Sequence, residues 1–186
     1  MTEFLKNIDK NWTLFLDRDG VINNRPIDDY VKTWEAFEFL PGVLKAFAIF
    51  NKIFKRIIVV TNQQGIGKGL MTVDDLEAVH SKMITEIQNS GGRIDAVYYC
   101  PELAEKPLSC RKPSTFMAQK AFAEFPDIDF EKSLMLGDMR TDLQFGRNAG
   151  MKTIYINTNQ KSIDTDLYDE RFSSLIEFAK LLNVND

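Results

Sequence analysis

Residues 14–22 read LFLDRDGVI: Leu14, Phe15 and Leu16 run straight into Asp17 and Asp19, two acids flanking Arg18. An apolar run of this kind, opened by Thr13, reads as a strand buried on both faces. Ending it on two carboxylates two residues apart sets a second requirement. Close carboxylates in a poorly solvated place repel, and each is costly without a cation beside it. The stretch therefore predicts a sheet covered on both sides and a charged site at the end of one of its strands.

Working outward, similar short runs recur at 56–62 (RIIVVTN), 94–100 (IDAVYYC), 133–138 (SLMLGD) and 152–157 (KTIYIN). Between them lie segments with helical spacing. Val43, Ala46, Phe47, Ile49, Phe50 and Phe54 follow the i, i+3, i+4, i+7 rule over 42–55. Thr72 with Asp75 opens a second helix, Pro113 sits just before a third, and Ser174 with Glu177 forms a capping box for the last. Strands alternating with helices predict an α/β fold with a central parallel sheet of about five strands and helices on both faces. Two long loops, 20–40 and 157–172, are expected near the site.

The 186 residues fit a single domain, 1–186, with 44% hydrophobic and 27% charged residues and a formal net charge of -4. That balance offers no basic field for nucleic acid. No apolar run is long enough to span a bilayer, and the opening MTEFLKNIDKN has no signal-peptide core. The expected location is the cytoplasm, with no membrane partner, as a monomer or weak dimer. Only Cys100 and Cys110 are present, expected as thiols or metal ligands in a reducing compartment.

Ligands of a parallel α/β sheet bind at the carboxyl ends of its strands. Those ends carry Asp17 and Asp19, Thr61 and Asn62, Cys100, and Asp138 with Asp142. Carboxylates and carbonyls of this kind suit Mg²⁺, which usually shares its shell with a phosphate. VVTNQQGIGKG at 59–69 adds glycines whose amides could face an anion, although it matches neither the P-loop nor the dinucleotide fingerprint. CRKP at 110–113 adds Arg111 and Lys112. His80, the sole histidine, falls inside the helix opened by Thr72 and reads as a plain helix residue. Arg18 points away from its neighbours on an extended chain and reads as structural.

The order LFLDRDGVI, VVTNQQGIG, CRKP, MLGDMRTDLQ resembles the four motifs of the haloacid dehalogenase superfamily of phosphohydrolases. It is most similar to the capless branch that contains heptose 1,7-bisphosphate and histidinol phosphatases. The resemblance spans about residues 12–157 and includes DDYVKTWEAFEFLPGV after the first motif. It implies a three-layer Rossmann-like fold without a large cap, Mg²⁺ as cofactor and an aspartyl-phosphate intermediate. Residue by residue, Asp17 matches the nucleophile and Asp19 the acid and base. Asp138 matches the remaining side-chain ligand of a metal site formed by Asp17, Asp19 and Asp138. Thr61 and Lys112 match the phosphoryl-binding pair, with Asn62 orienting the nucleophile loop or substrate and Arg111 reaching a substrate phosphate or carboxylate. Asp142 is expected to cap or orient the metal site.

The chain departs from that branch in two places. Its relatives usually carry a zinc loop, C-x-H followed by C-x-C-R-K-P, whereas Glu102 and Leu108 stand here at two ligand positions. Leucine cannot bind zinc, so zinc is not expected, and the cysteines read as remnants or packed thiols. Met139 and Arg140 replace the lysine usual after the last motif's aspartate in heptose bisphosphatases. The expected substrate is a small phosphorylated metabolite, with heptose 1,7-bisphosphate first and histidinol phosphate second. A phospho-accepting receiver domain, or a silent scaffold, is the non-enzymatic alternative.

Overall fold

The run at Thr13–Leu16 (β1) is third of six strands in one sheet, all of whose ladders are parallel. Its companions are β2 (Arg56–Asn62), β3 (Ala96–Cys100), β4 (Ser133–Gly137), β5 (Lys152–Ile156) and β6 (Glu170–Phe172), in the order β3-β2-β1-β4-β5-β6. This computed structural model describes residues 2–27, 29–158 and 162–182. Along the inner strands, alternate side chains enter different cores. Leu14, Leu16, Ile57, Val59, Leu134 and Leu136 pack with α1 (Val43–Ile53), α3 (Val73–Asn89) and α6 (Leu175–Leu182). Phe15, Ile58, Val60 and Met135 pack with α4 (Phe116–Glu124) and α5 (Arg140–Asn148). Two apolar layers, one on each face, are why the strands read as unbroken hydrophobic runs instead of alternating ones.

Most helix signals are realised. Thr72 Oγ1 accepts from Asp75 N at 3.1 Å, and Asp75 Oδ2 accepts from Thr72 N at 2.8 Å, closing the capping box of α3. Ser174 Oγ caps Glu177 N at 3.3 Å, but the Glu177 carboxylate turns to Ser173 instead. The sixth strand was hidden in the expected 157–172 loop. Only three residues long and at the sheet edge, Glu170–Phe172 carries no apolar periodicity. The segment 64–67, read as a glycine loop, is a single helical turn (α2). The amides of residues 66–70 are already engaged, donating to the Gln63, Pro101, Gln64, Ile66 and Gly65 carbonyls. A Cβ on Gly67 would lie 2.5 Å from Pro101 O, so close packing accounts for that glycine.

Cys100 and Cys110 form a disulfide with a Cα–Cα distance of 5.6 Å, which corrects the thiol expectation. The loop leaving β3 returns to bring Cys110 beside the strand end, a closure that spacing alone does not reveal. Glu102 accepts from Cys110 N at 2.9 Å, and Leu108, in the place of the missing ligand, is fully exposed at φ +54°.

Register aligns the carboxyl ends. Leu16 pairs with Val59 of β2 and with Leu136 of β4. The residues just beyond, Asp17, Thr61 and Asp138, therefore emerge on one edge. The order also rules out the receiver alternative, whose doubly wound sheet runs 2-1-3-4-5 with a different strand at its centre.

Candidate active site

The site begins with a tight turn after β1. Asp17 N donates to Leu136 O at 3.0 Å, while the Arg18 carbonyl accepts from the amides of Val21, Ile22 and Asn23. Gly20 adopts φ +89°, and a Cβ there would lie 2.2 Å from Asp138 Oδ2. Gly137 is equally confined, since a Cβ would come within 2.1 Å of Asp142 Cβ. The glycines of the first and last motifs thus allow the two acidic turns to touch.

Asp17, Asp138 and Asp142 present carboxylate oxygens within 4.8 Å of one another, all three residues buried. Lys112 Nζ lies among them, donating to Asp17 Oδ1 at 2.8 Å and Val60 O at 2.8 Å, and paired with Asp142 Oδ1 at 2.7 Å. Asn62 fixes the lysine's backbone, its Oδ1 accepting from Lys112 N at 3.0 Å. Asp142 also accepts from Met139 N at 3.0 Å, so it both caps α5 and steadies the lysine.

A second cation enters from the 20–40 loop. That loop folds back through Asn24 N to Glu38 O and Leu40 N to Ile22 O, with Trp34, Phe37 and Phe39 packed together. It delivers Arg25, whose Nη2 lies 2.8 Å from Asp138 Oδ1, 2.6 Å from the Asp19 carbonyl oxygen and 3.4 Å from Asp17 Oδ2. Three oxygens from two turns converge on one positive nitrogen.

The Asp19 carboxylate does not join them. Arg18 Nη2 reaches both its oxygens at 2.9 and 3.0 Å, Asn23 Nδ2 donates at 2.9 Å, and Gln63 Nε2 donates at 2.9 Å. The expectation that Arg18 points away from its neighbours is corrected accordingly; of Asp19, it is the carbonyl oxygen that faces the converging oxygens. Asp142, expected to cap or orient the site, caps α5 and also stands in the carboxylate cluster.

Electrostatics separate these acids. Burial raises the Asp138 pKa to about 7; Arg25 opposes the shift, and the Asp17 and Asp142 charges add to it. Burial and the Asp17 charge raise Asp142 as well, against Lys112. For Asp19 burial works in the same sense, but the Arg18 charge and the bonds from Asn23, Arg18 and Gln63 outweigh it, leaving the carboxyl below its usual range. Lys112 is raised, the two acids beside it overcoming its burial.

Beside these charges opens a cavity of about 240 Å³ whose lining includes Arg25, Tyr30 and Gln64. Of the residues singled out in the sequence, Asp17, Asp19, Thr61, Asn62, Arg111, Lys112 and Asp142 line it, while Asp138 stands in the adjoining carboxylate cluster. Thr61 Oγ1 accepts from Gln63 at 2.9 Å. Arg111 Nη1 is buried and has no hydrogen-bond partner among the described residues. Sequence reasoning missed Arg25 and Tyr30, which sit in an aperiodic loop, and Gln63, whose position directly after Thr61 and Asn62 was an available signal.

The HAD-hydrolase-like family model matches residues 109–174. The chain is 35% identical to the D-glycero-alpha-D-manno-heptose-1,7-bisphosphate 7-phosphatase of Mycobacterium tuberculosis over 170 residues, 90% of each chain. It is also 35% identical to the Campylobacter jejuni protein of the same name, over 95% of this chain and 99% of that one. Among solved structures, the D,D-heptose 1,7-bisphosphate phosphatase of B. bronchiseptica, complexed with magnesium and phosphate, superposes with a TM-score of 0.83. It shares 27% identity, covering 94% of this chain and 99% of that one. The chain belongs to the haloacid dehalogenase-like phosphatases, in the family of the heptose-1,7-bisphosphate 7-phosphatases.

Proposed function

We propose that this protein is a Mg²⁺-dependent phosphomonoesterase that removes one phosphate from a heptose 1,7-bisphosphate. The observation that carries the reading is the convergence of Asp17 Oδ2, Asp19 O and Asp138 Oδ1 on the Arg25 guanidinium. Oxygen donors that gather around one positive charge, with a carboxyl pushed up to about 7 by burial and by the neighbouring acids, suit a hard dication. Asp17, Asp138 and the Asp19 carbonyl would hold it. When bound, magnesium would neutralise charge on the phosphoryl oxygens.

The chain's own groups then divide the work. The Asp17 carboxylate attacks phosphorus in line with the leaving oxygen, forming an acyl phosphate on its side chain. Lys112 and the Thr61 hydroxyl hold phosphoryl oxygens as charge spreads over them. Asp19, two residues on, is held ionised by its donors in the free protein; the phosphoryl charge brought beside it favours uptake of the proton that it gives to the leaving oxygen, and it later takes one from the water that cleaves the acyl phosphate. Arg111, with a buried and unpartnered Nη1 beside the cavity, binds the second phosphate. The exposed leucine in the place of a zinc ligand supports a loop that needs no zinc.

The test compares kcat/KM for heptose 1,7-bisphosphate, histidinol phosphate and simple monophosphates, with Mg²⁺ and with EDTA. Heptose bisphosphate is expected to lead, with turnover lost in EDTA. Arg111→Ala should raise KM for the bisphosphate by roughly tenfold or more while changing monophosphates little. A preference for histidinol phosphate would overturn the substrate assignment.

A further inference from the structure

Arg18 is the largest fully buried side chain among the described residues, a cation in contact with His80 of α3. Its fork is fully used in two directions. Nη2 spans both oxygens of Asp19, Nε lies 3.3 Å from Asp19 Oδ1, and Nη1 lies 3.0 Å from His80 Nε2. Arginine has no acceptor, so the Nη1–His80 bond requires an unprotonated Nε2, which leaves the ring neutral with its proton on Nδ1. His80 is only 6% exposed, with Tyr99 packed 6.3 Å away, ring to ring. Burial first, and the Arg18 charge second, hold it neutral, its pKa lowered to about 3.

We infer that His80 is a positioning residue for the reaction: its neutral imidazole anchors the far side of the Arg18 guanidinium, so that the near side presents Asp19 in one fixed orientation. The inference rests on the assignment of Asp19 as the acid and base. A histidine buried at the eighth position of a helix is ordinarily part of the core. This one instead accepts from a charged donor that in turn grips the carboxylate next to the attacking acid. Asn23 and Gln63 each donate once to Asp19 and cannot replace a fork that spans both oxygens.

The dependence on the leaving group separates positioning from plain packing. A sugar or other alkyl oxygen leaves only if it is protonated, whereas p-nitrophenolate leaves without help. In the full-length enzyme with Mg²⁺, His80→Leu should lower kcat/KM for heptose bisphosphate by about tenfold or more and for p-nitrophenyl phosphate by less than about threefold. His80→Gln, whose amide oxygen can accept from Arg18, should recover most of the difference. An equal fall on both substrates, or no fall on either, overturns the inference. If His80→Leu does not fold, Arg18→Lys carries the test, since an ammonium keeps the charge and loses the fork; an unselective loss there overturns it as well. Asp19→Asn keeps the two ideas apart. It should show the same selectivity, with a larger loss of about 10²–10⁴ on the alkyl substrate. Absence of selectivity in Asp19→Asn refutes the acid assignment, while selectivity there without any in the His80 and Arg18 variants refutes only the role of His80.

Discussion

Two carboxylates on neighbouring turns of this protein, Asp138 and Asp19, lie in opposite surroundings. Asp138 faces two other buried acids and is pushed up to about 7, with burial the main cause. Asp19 is buried as well, yet Arg18, Asn23 and Gln63 surround it and its pKa falls. The difference is one of partner count. Around Asp138, two cations serve three carboxylates; around Asp19, three donor side chains serve one. The first region is short of positive charge and suited to gain a metal ion. The second is already balanced and holds its carboxylate in place. Charge hunger and charge satisfaction, a few ångströms apart, let similar side chains take different parts in one reaction.

The comparison can be broken from its charge-hungry side. Asp17→Asn should abolish turnover, by at least about a thousandfold, because the amide cannot form the acyl phosphate. Retention of a tenth of wild-type kcat would remove Asp17 from the role of nucleophile. Lys112→Met leaves Asp17 and Asp142 buried without their cation. A loss of roughly 3–5 kcal/mol of stability in metal-free protein, together with a large fall in kcat, is the expected result in urea titration and kinetics.

Acidity sharpens it further. Because the folded-state pKa of Asp138 lies above its unfolded value, the native protein binds the extra proton. Its contribution is complete below about pH 4 and lost as pH rises toward about 7. In metal-free protein the wild type should therefore lose stability relative to Asp138→Asn across that window, by at most about 1.4 kcal/mol per pH unit. Mg²⁺ should restore more stability at pH 7 than at pH 5. A flat difference between the two proteins would show that Asp138 is not short of charge. The smallest effect is expected at Arg25, whose Nη2 holds the point that a cation would take. Arg25→Met should tighten Mg²⁺ binding by roughly severalfold in calorimetry while lowering the thermal stability of the metal-free protein. Unchanged affinity would mean that guanidinium and metal do not compete.

Much of this site was legible as an order of residues. Asp17, Thr61 and Asp138 each follow an apolar run, and runs buried on both faces place their ends together once the sheet is parallel. The partners of those residues were not legible. Arg25 arrives from a loop whose path depends on aromatic packing at Trp34, Phe37 and Phe39. The His80–Arg18 contact joins positions 62 residues apart, and on a helix pattern alone His80 is indistinguishable from a core residue. The disulfide was missed because cysteine spacing was weighed against a metal loop, while the return of the 101–109 segment decides how close the sulfurs come.

By itself, then, the sequence determined the layered parallel architecture and the acids, hydroxyl and lysine that line its active edge, since hydrophobic period and strand-end chemistry are local properties of the chain. Only tertiary structure decided that Asp19 is ringed by Arg18, Asn23 and Gln63 while Asp138 shares Arg25 with neighbouring acids. That choice depends on which long side chains cross the space between turns, and burial there amplifies every charge that is met or left unmet.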